Sequence, residues 1–87
     1  MLIRIGTNTY IPGEEIYYVT DYTSNSTVNM VRKAKEEKRV IDATRGKAIG
    51  SVMFMRANNM VVLSNISVDT IIKNMKKPNR NKNTSDD

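Results

Sequence analysis

The chain contains no cysteine, no histidine and no tryptophan among its 87 residues. Without a thiol or an imidazole, one chain cannot build a Cys/His zinc site, a cysteine nucleophile, a Ser-His-Asp triad or a histidine proton relay. No disulfide or metal can staple the fold either. The apolar share of 39% leaves little core to offset chain entropy, so oligomerisation is a natural remedy. The chemistry that remains belongs to carboxylates, Lys, Tyr and hydroxyls. Glu14 with Glu15 and Glu36 with Glu37 are sequence neighbours. Such pairs point to different faces of a strand or separate around a helix, so neither forms a paired-carboxylate site. No catalytic residue, metal, cofactor or small-molecule substrate is expected. Long hydrophobic runs are missing as well. Arg4, Gly6, Thr7 and Asn8 break the N-terminus before a signal peptide could form, and nothing approaches the roughly 20 apolar residues of a membrane span. A cytoplasmic protein with no membrane partner is the expectation.

What the chain does have is positive charge, unevenly placed. The formal total is +5, from 14 Lys and Arg against 9 Asp and Glu. Residues 1–24 set Arg4 against Glu14, Glu15 and Asp21, a net of −2. Residues 25–56 set eight cations against Glu36, Glu37 and Asp42, a net of +5, and the remainder carries +2. A basic middle segment suits phosphate, because each neutralised phosphate releases condensed counterions. A lysine-rich helix with a merely solvated face gives the same count.

Local patterning predicts a single α+β domain over residues 1–76, followed by a disordered basic and polar tail over 77–87. Leu2 to Ile5 and Tyr10 to Ile11 read as two short strands, with Gly6 and Asn8 between them. Glu15 to Tyr22 has strong β character on both faces, which predicts an interior strand or one at a subunit interface. Ser26 is the expected N-cap of an amphipathic helix running to about Lys38, with Thr27, Met30, Val31 and Ala34 as its apolar stripe. Arg39 to Ala43 reads as a strand. Val52 to Met55 predicts a strand buried on both faces, Asn58-Asn59 a tight turn, and Met60 to Leu63 the returning strand. Ser67 caps a short final helix with Val68, Ile71, Ile72 and Met75 at helical spacing. The predicted fold is therefore a small antiparallel sheet with one amphipathic helix, a basic turn, a hairpin and a short C-terminal helix.

The sharpest local feature is Asp42-Ala43-Thr44-Arg45-Gly46-Lys47. Two cations flank a glycine, where backbone can approach a ligand and side chains can splay towards phosphate oxygens. It is no P-loop, because the spaced glycine and the Lys-Ser/Thr pair are absent. Gly46 also reads as an ordinary left-handed turn residue and Lys47 as a plain hairpin charge. Asp42 is expected to order the loop by accepting backbone hydrogen bonds rather than to catalyse. Tyr17, Tyr18 and Tyr22 favour cross-strand packing or an interface over base stacking. The six methionines suit an irregular core.

Val40-Ile41-Asp42-Ala43-Thr44, Gly46-Lys47, the apolar strand that follows, and Val61-Val62-Leu63-Ser64 before a terminal helix resemble the RemA/RemB-type extracellular matrix regulatory family of bacteria. Ile3-Arg4-Ile5-Gly6 and Ile16 to Tyr22 extend the resemblance to about residues 2–75. It implies a non-enzymatic, DNA-binding transcriptional regulator of extracellular matrix (biofilm) genes, assembled as a ring-shaped homo-oligomer, with duplex DNA and further copies of itself as partners. Where the family has a pair of arginines after the Asp-Ala-Thr-x-Gly element, this chain has Lys47 and Ala48. Glu14 holds the place of a third, N-terminal arginine. The expected phosphate contacts are Lys47 and Arg45, with secondary attraction from Arg32, Lys33 and Arg39. A ring-forming protein-interaction or scaffold module that no longer binds DNA is the alternative.

Overall fold

The structure is a computed structural model that describes residues 1–76. The tail expected over 77–87 lies outside the described residues. The element order is β1 (Leu2–Gly6), β2 (Thr9–Pro12), a 3-10 turn (Gly13–Glu15), β3 (Ile16–Thr20), α1 (Asn25–Glu36), β4 (Val40–Asp42), β5 (Ser51–Met55), β6 (Val61–Ser64) and α2 (Val68–Lys76). The fold is α+β. β1 and β2 form an antiparallel hairpin, and the other four strands form a sheet of order β3-β5-β6-β4. Three of the four strand pairings are antiparallel, but β4 runs parallel to β6, with Val40, Ile41 and Asp42 opposite Val61, Val62 and Leu63.

Alternation along the central strands decides the layers. Val52, Val61 and Leu63 point to one face and are buried with Val31 and Ala34 of α1. Met53 and Val62 point to the other, where they meet Ile3 and Ile5 of β1, Ile16 and Ile71 of α2. Both faces of β5 and β6 are thus covered, as the Val52 to Met55 run predicts for β5. A 12-residue helix is marginal alone in water. Burying a Val or Leu side chain stabilises by about 1.5–3 kcal/mol, so the sheet holds α1 far more than its own propensity does.

The boundaries of α1 differ from the sequence expectation. Ser24, not Ser26, is the N-cap: its backbone is extended (φ −79°, ψ 148°) and its hydroxyl accepts the Thr27 amide at 3.1 Å. Ser26 lies inside the first turn, where its hydroxyl meets Met30 Sδ at 3.9 Å. Met30, expected on the buried stripe, is 40% exposed. At the other end Lys38 is left-handed (φ 58°), and the Arg39 and Lys38 amides donate to Ala34 O and Lys35 O at 2.8 and 3.1 Å. That pair of bonds is a Schellman stop with lysine where glycine is usual.

β3 is an edge strand of the four-stranded sheet, and a register shift between Ile16 and Tyr18 interrupts its alternation. Tyr17 is exposed, while Tyr18 stacks on its cross-strand neighbour Phe54 with centroids 4.6 Å apart. Asn58 and Asn59 are both left-handed, and Met60 N donates to Ala57 O at 3.2 Å, giving the expected tight turn. Gly50 is dictated by space: a Cβ there would lie 2.7 Å from Asn65 O and 2.9 Å from Ile66 C.

Candidate nucleic-acid interface

β4 ends at Asp42, whose Oδ1 accepts both the Thr44 amide (2.9 Å) and the Thr44 hydroxyl (2.7 Å). The hydroxyl bond, followed by the amide bond, holds the Asp42 carboxyl below the usual carboxylate range. Asp42 therefore orders the loop. The next four residues close a turn in which Lys47 N donates to Thr44 O at 3.1 Å. Arg45 (φ 54°) and Gly46 (φ 81°) are both left-handed, the signature of a type I′ turn. Glycine suits its position. Arginine does not, because a left-handed backbone costs an L-residue roughly 1–2 kcal/mol. Arg45, Gly46 and Lys47 are exposed. Among the described residues neither Arg45 nor Lys47 has an ion-pair partner.

The five sequence-predicted contacts divide between the two ends of β4. Arg45 and Lys47 follow its C-terminal end. Arg39 precedes its N-terminal end, and Arg32 and Lys33 lie in the C-terminal half of α1. Arg39 is tied into the fold. Its Nε and Nη2 meet Glu37 Oε1 at 2.7 and 2.6 Å, and its Nη1 donates to Asn59 O at the β5–β6 turn. Arg32 Nη2 donates to Asn29 Oδ1 at 2.6 Å. Lys33, in the last turn of α1, is placed where a cation complements the helix C-terminus. Lys33 and Arg39 border a recess of about 300 Å³ that also exposes Tyr17, Tyr18 and Met30. Glu14 sits in the 3-10 turn and binds the Met1 ammonium group, a hydrogen bond that lowers its carboxyl pKa. Ala48 is exposed.

Lys47 also borders a larger groove of about 620 Å³ between the β1–β2 hairpin and α2, and there the structure adds a cation that the charge count passed over. Arg4 of β1 lines the same groove, together with Thr7, Asn65, Thr70 and Asn74, and no Asp or Glu is among the lining residues. In the sequence Arg4 belongs to the segment with net charge −2 and stands 43 positions before Lys47. Packing of β1 against α2 brings it round, with Asn74 Nδ2 donating to Arg4 O at 3.2 Å. The alternation Leu2-Ile3-Arg4-Ile5 is the one sequence signal that bears on it, since buried Ile3 and Ile5 put Arg4 on the outward face.

Residues 2–75 match the family described as RemA-like, extracellular matrix regulatory protein A-like. A protein of Desulfosudis oleivorans named as a regulatory protein is 36% identical over 86 residues, covering 99% of this chain and 88% of that protein. A second regulatory protein so named, from Fervidobacterium nodosum, is 33% identical over 70 residues, covering 80% of this chain and 74% of its own. With the match running from β1 to α2 and relatives of this coverage, the chain belongs to the RemA-like family of extracellular matrix regulatory protein A-like proteins.

Proposed function

We propose that this regulator is non-enzymatic and binds duplex DNA through backbone phosphates as a ring-shaped homo-oligomer, controlling genes of the extracellular matrix. The observation that carries the reading is Arg45. A type I′ turn favours Asn-Gly, yet the chain keeps a strained arginine there whose charge has no carboxylate partner among the described residues. Strain retained without an internal gain suits a group directed at a ligand. Lys47, two residues on, adds a second cation without an ion-pair partner among the described residues. Phosphate contacts of this kind position a protein on DNA without reading bases, so sequence preference is weak.

Self-association is supported by the sheet's two edges, β3 and β4, which pair on one side only among the described residues. Tyr17 and Tyr18 on β3 and Ile41 on β4 are exposed, at 68%, 41% and 49%. Covering them offsets the lean core, and each added copy brings another Arg45–Lys47 turn to the same duplex. A second reading, a ring-forming scaffold that does not touch DNA, draws on Glu14 and Ala48 at the family's arginine positions. A salt series with labelled duplex separates the two. DNA binding requires affinity that falls steeply with salt and disappears in the Arg45→Glu, Lys47→Glu double variant. Unchanged duplex affinity in that variant at low salt refutes the assignment of the turn, and no binding at any ionic strength selects the scaffold.

A further inference from the structure

We infer that the groove between the β1–β2 hairpin and α2 binds a phosphate group, with Arg4 acting beside Lys47. The inference rests on the reading of the Lys47 turn as a phosphate-binding element and adds a second cation and a shape to it.

Three features of the groove point to an anion. Arg4 and Lys47 both border it, none of its lining residues is acidic, and neither cation has an ion-pair partner among the described residues. Two like charges beside one recess repel, and a bound anion converts that repulsion into attraction for both. Secondly, the guanidinium is partly fixed. Arg4 Nε donates to Gly6 O at 3.2 Å, and the Arg4 carbonyl is held by Asn74, so the side chain starts from an anchored backbone, and its two terminal nitrogens bond to no protein group among the described residues. Those nitrogens form the fork that grips two phosphate oxygens at once. Thirdly, the remaining polar lining is neutral: Thr7, Asn65 and Thr70 offer hydroxyl and amide groups to the other oxygens. The groove, about 620 Å³ in volume, has room for a phosphate carried on a larger molecule, a free phosphorylated compound or a nucleic acid backbone.

The test uses the full chain and two probes. Inorganic pyrophosphate is titrated while the amide resonances of Thr7, Asn65 and Thr70 are followed by NMR, and labelled duplex is titrated across a salt series. Pyrophosphate is expected to shift those resonances, and Arg4→Gln and Lys47→Gln to abolish the shifts. With duplex, Arg4→Gln is expected to weaken binding roughly three- to tenfold at low salt and to flatten the log–log salt slope by about 0.9 for each phosphate no longer neutralised. Arg4→Lys keeps the charge without the fork and is expected to fall between wild type and Arg4→Gln, so the inference is testable even if the glutamine variant folds poorly.

Groove shifts with pyrophosphate but no duplex binding support the inference, identify a free phosphorylated compound as the source and end the DNA reading. Duplex binding weakened by Arg4→Gln supports the inference with a nucleic acid backbone as the source. Duplex binding that depends on Arg45 and Lys47 but not on Arg4, with no pyrophosphate shifts, overturns the groove and leaves the DNA reading standing.

Discussion

Replacing Arg45 by glycine is expected to make the protein more stable and a weaker binder at once. At φ 54° the arginine backbone is left-handed, a conformation that costs an L-residue roughly 1–2 kcal/mol and glycine almost nothing. Glycine gives back roughly 0.5–1 kcal/mol of that through the greater freedom of its unfolded chain. The net gain is about 0.5–1 kcal/mol, and in a domain of this size 1 kcal/mol moves the melting temperature by about 4–8 °C. The expected rise is thus roughly 2–8 °C. Gly46→Ala provides the reciprocal control. A Cβ at Gly46 meets nothing within 4 Å, so its only penalty is torsional at φ 81°. With the same entropy offset it should destabilise by about 0.5–1 kcal/mol. Thermal melts at fixed protein concentration, so that oligomerisation contributes equally to each curve, give the stabilities. Duplex titrations give the affinities, where Arg45→Gly should lower the salt slope by about 0.9 for each phosphate the arginine had neutralised. A lower melting temperature for Arg45→Gly would mean that the side chain holds the fold, and strain at Arg45 would then say nothing of a ligand. An unchanged duplex affinity would be equally damaging.

Gly50→Ala is expected to destabilise by about 2 kcal/mol, because its Cβ would press on backbone atoms of Asn65 and Ile66 at 2.7–2.9 Å rather than on a movable side chain. A chemical denaturation midpoint within error of wild type would show that the β6–α2 connection yields easily. Asp42 predicts a pH dependence. Its folded pKa is depressed by the two Thr44 bonds, so its stabilising contribution is full above the unfolded value of about 3.9 and is lost as pH falls through the folded value. The contribution should therefore be constant from neutral pH down to about 5 and fade below about 4. Asp42→Asn should flatten the acid limb of the stability curve, and an acid limb unchanged by that substitution would exclude Asp42 as its cause.

Much of the fold is legible in the sequence because local patterns and packing agree there. The unbroken Val52 to Met55 run announces a strand covered on both faces, Met60 to Leu63 its partner, and Asn58-Asn59 its own turn. The helix start is displaced because Ser24 and Ser26 are both competent caps. Only the extended backbone at Ser24 decides between them. Met30 misleads because its spacing fits the stripe, yet it lines the open recess beside Tyr17 and Tyr18 and stays 40% exposed. The parallel β4–β6 pairing leaves no mark on so short a strand as Val40–Asp42. Of the candidate site, the Asp42 to Lys47 turn is readable because its chemistry is contiguous. Arg4 is not, since only tertiary packing places it on the groove that Lys47 also lines. Arg39, a cation counted towards a ligand, is matched within the fold by Glu37 and the Asn59 carbonyl.

The order β3-β5-β6-β4 ends in two strands that run in the same direction but differ in length and side chains. Self-pairing of β3 with β3, or of β4 with β4, generates a two-fold axis and stops at two copies. Pairing of β3 with β4 is head-to-tail, so every addition exposes a fresh acceptor, and growth ends only when the rotation per subunit divides a full circle. Subunit number would then be an angle stored in the twist of one small sheet. Substitutions that alter that twist, such as at the Ile16/Tyr18 register shift, would change the count of copies or open the assembly into a filament without touching any residue that meets a ligand.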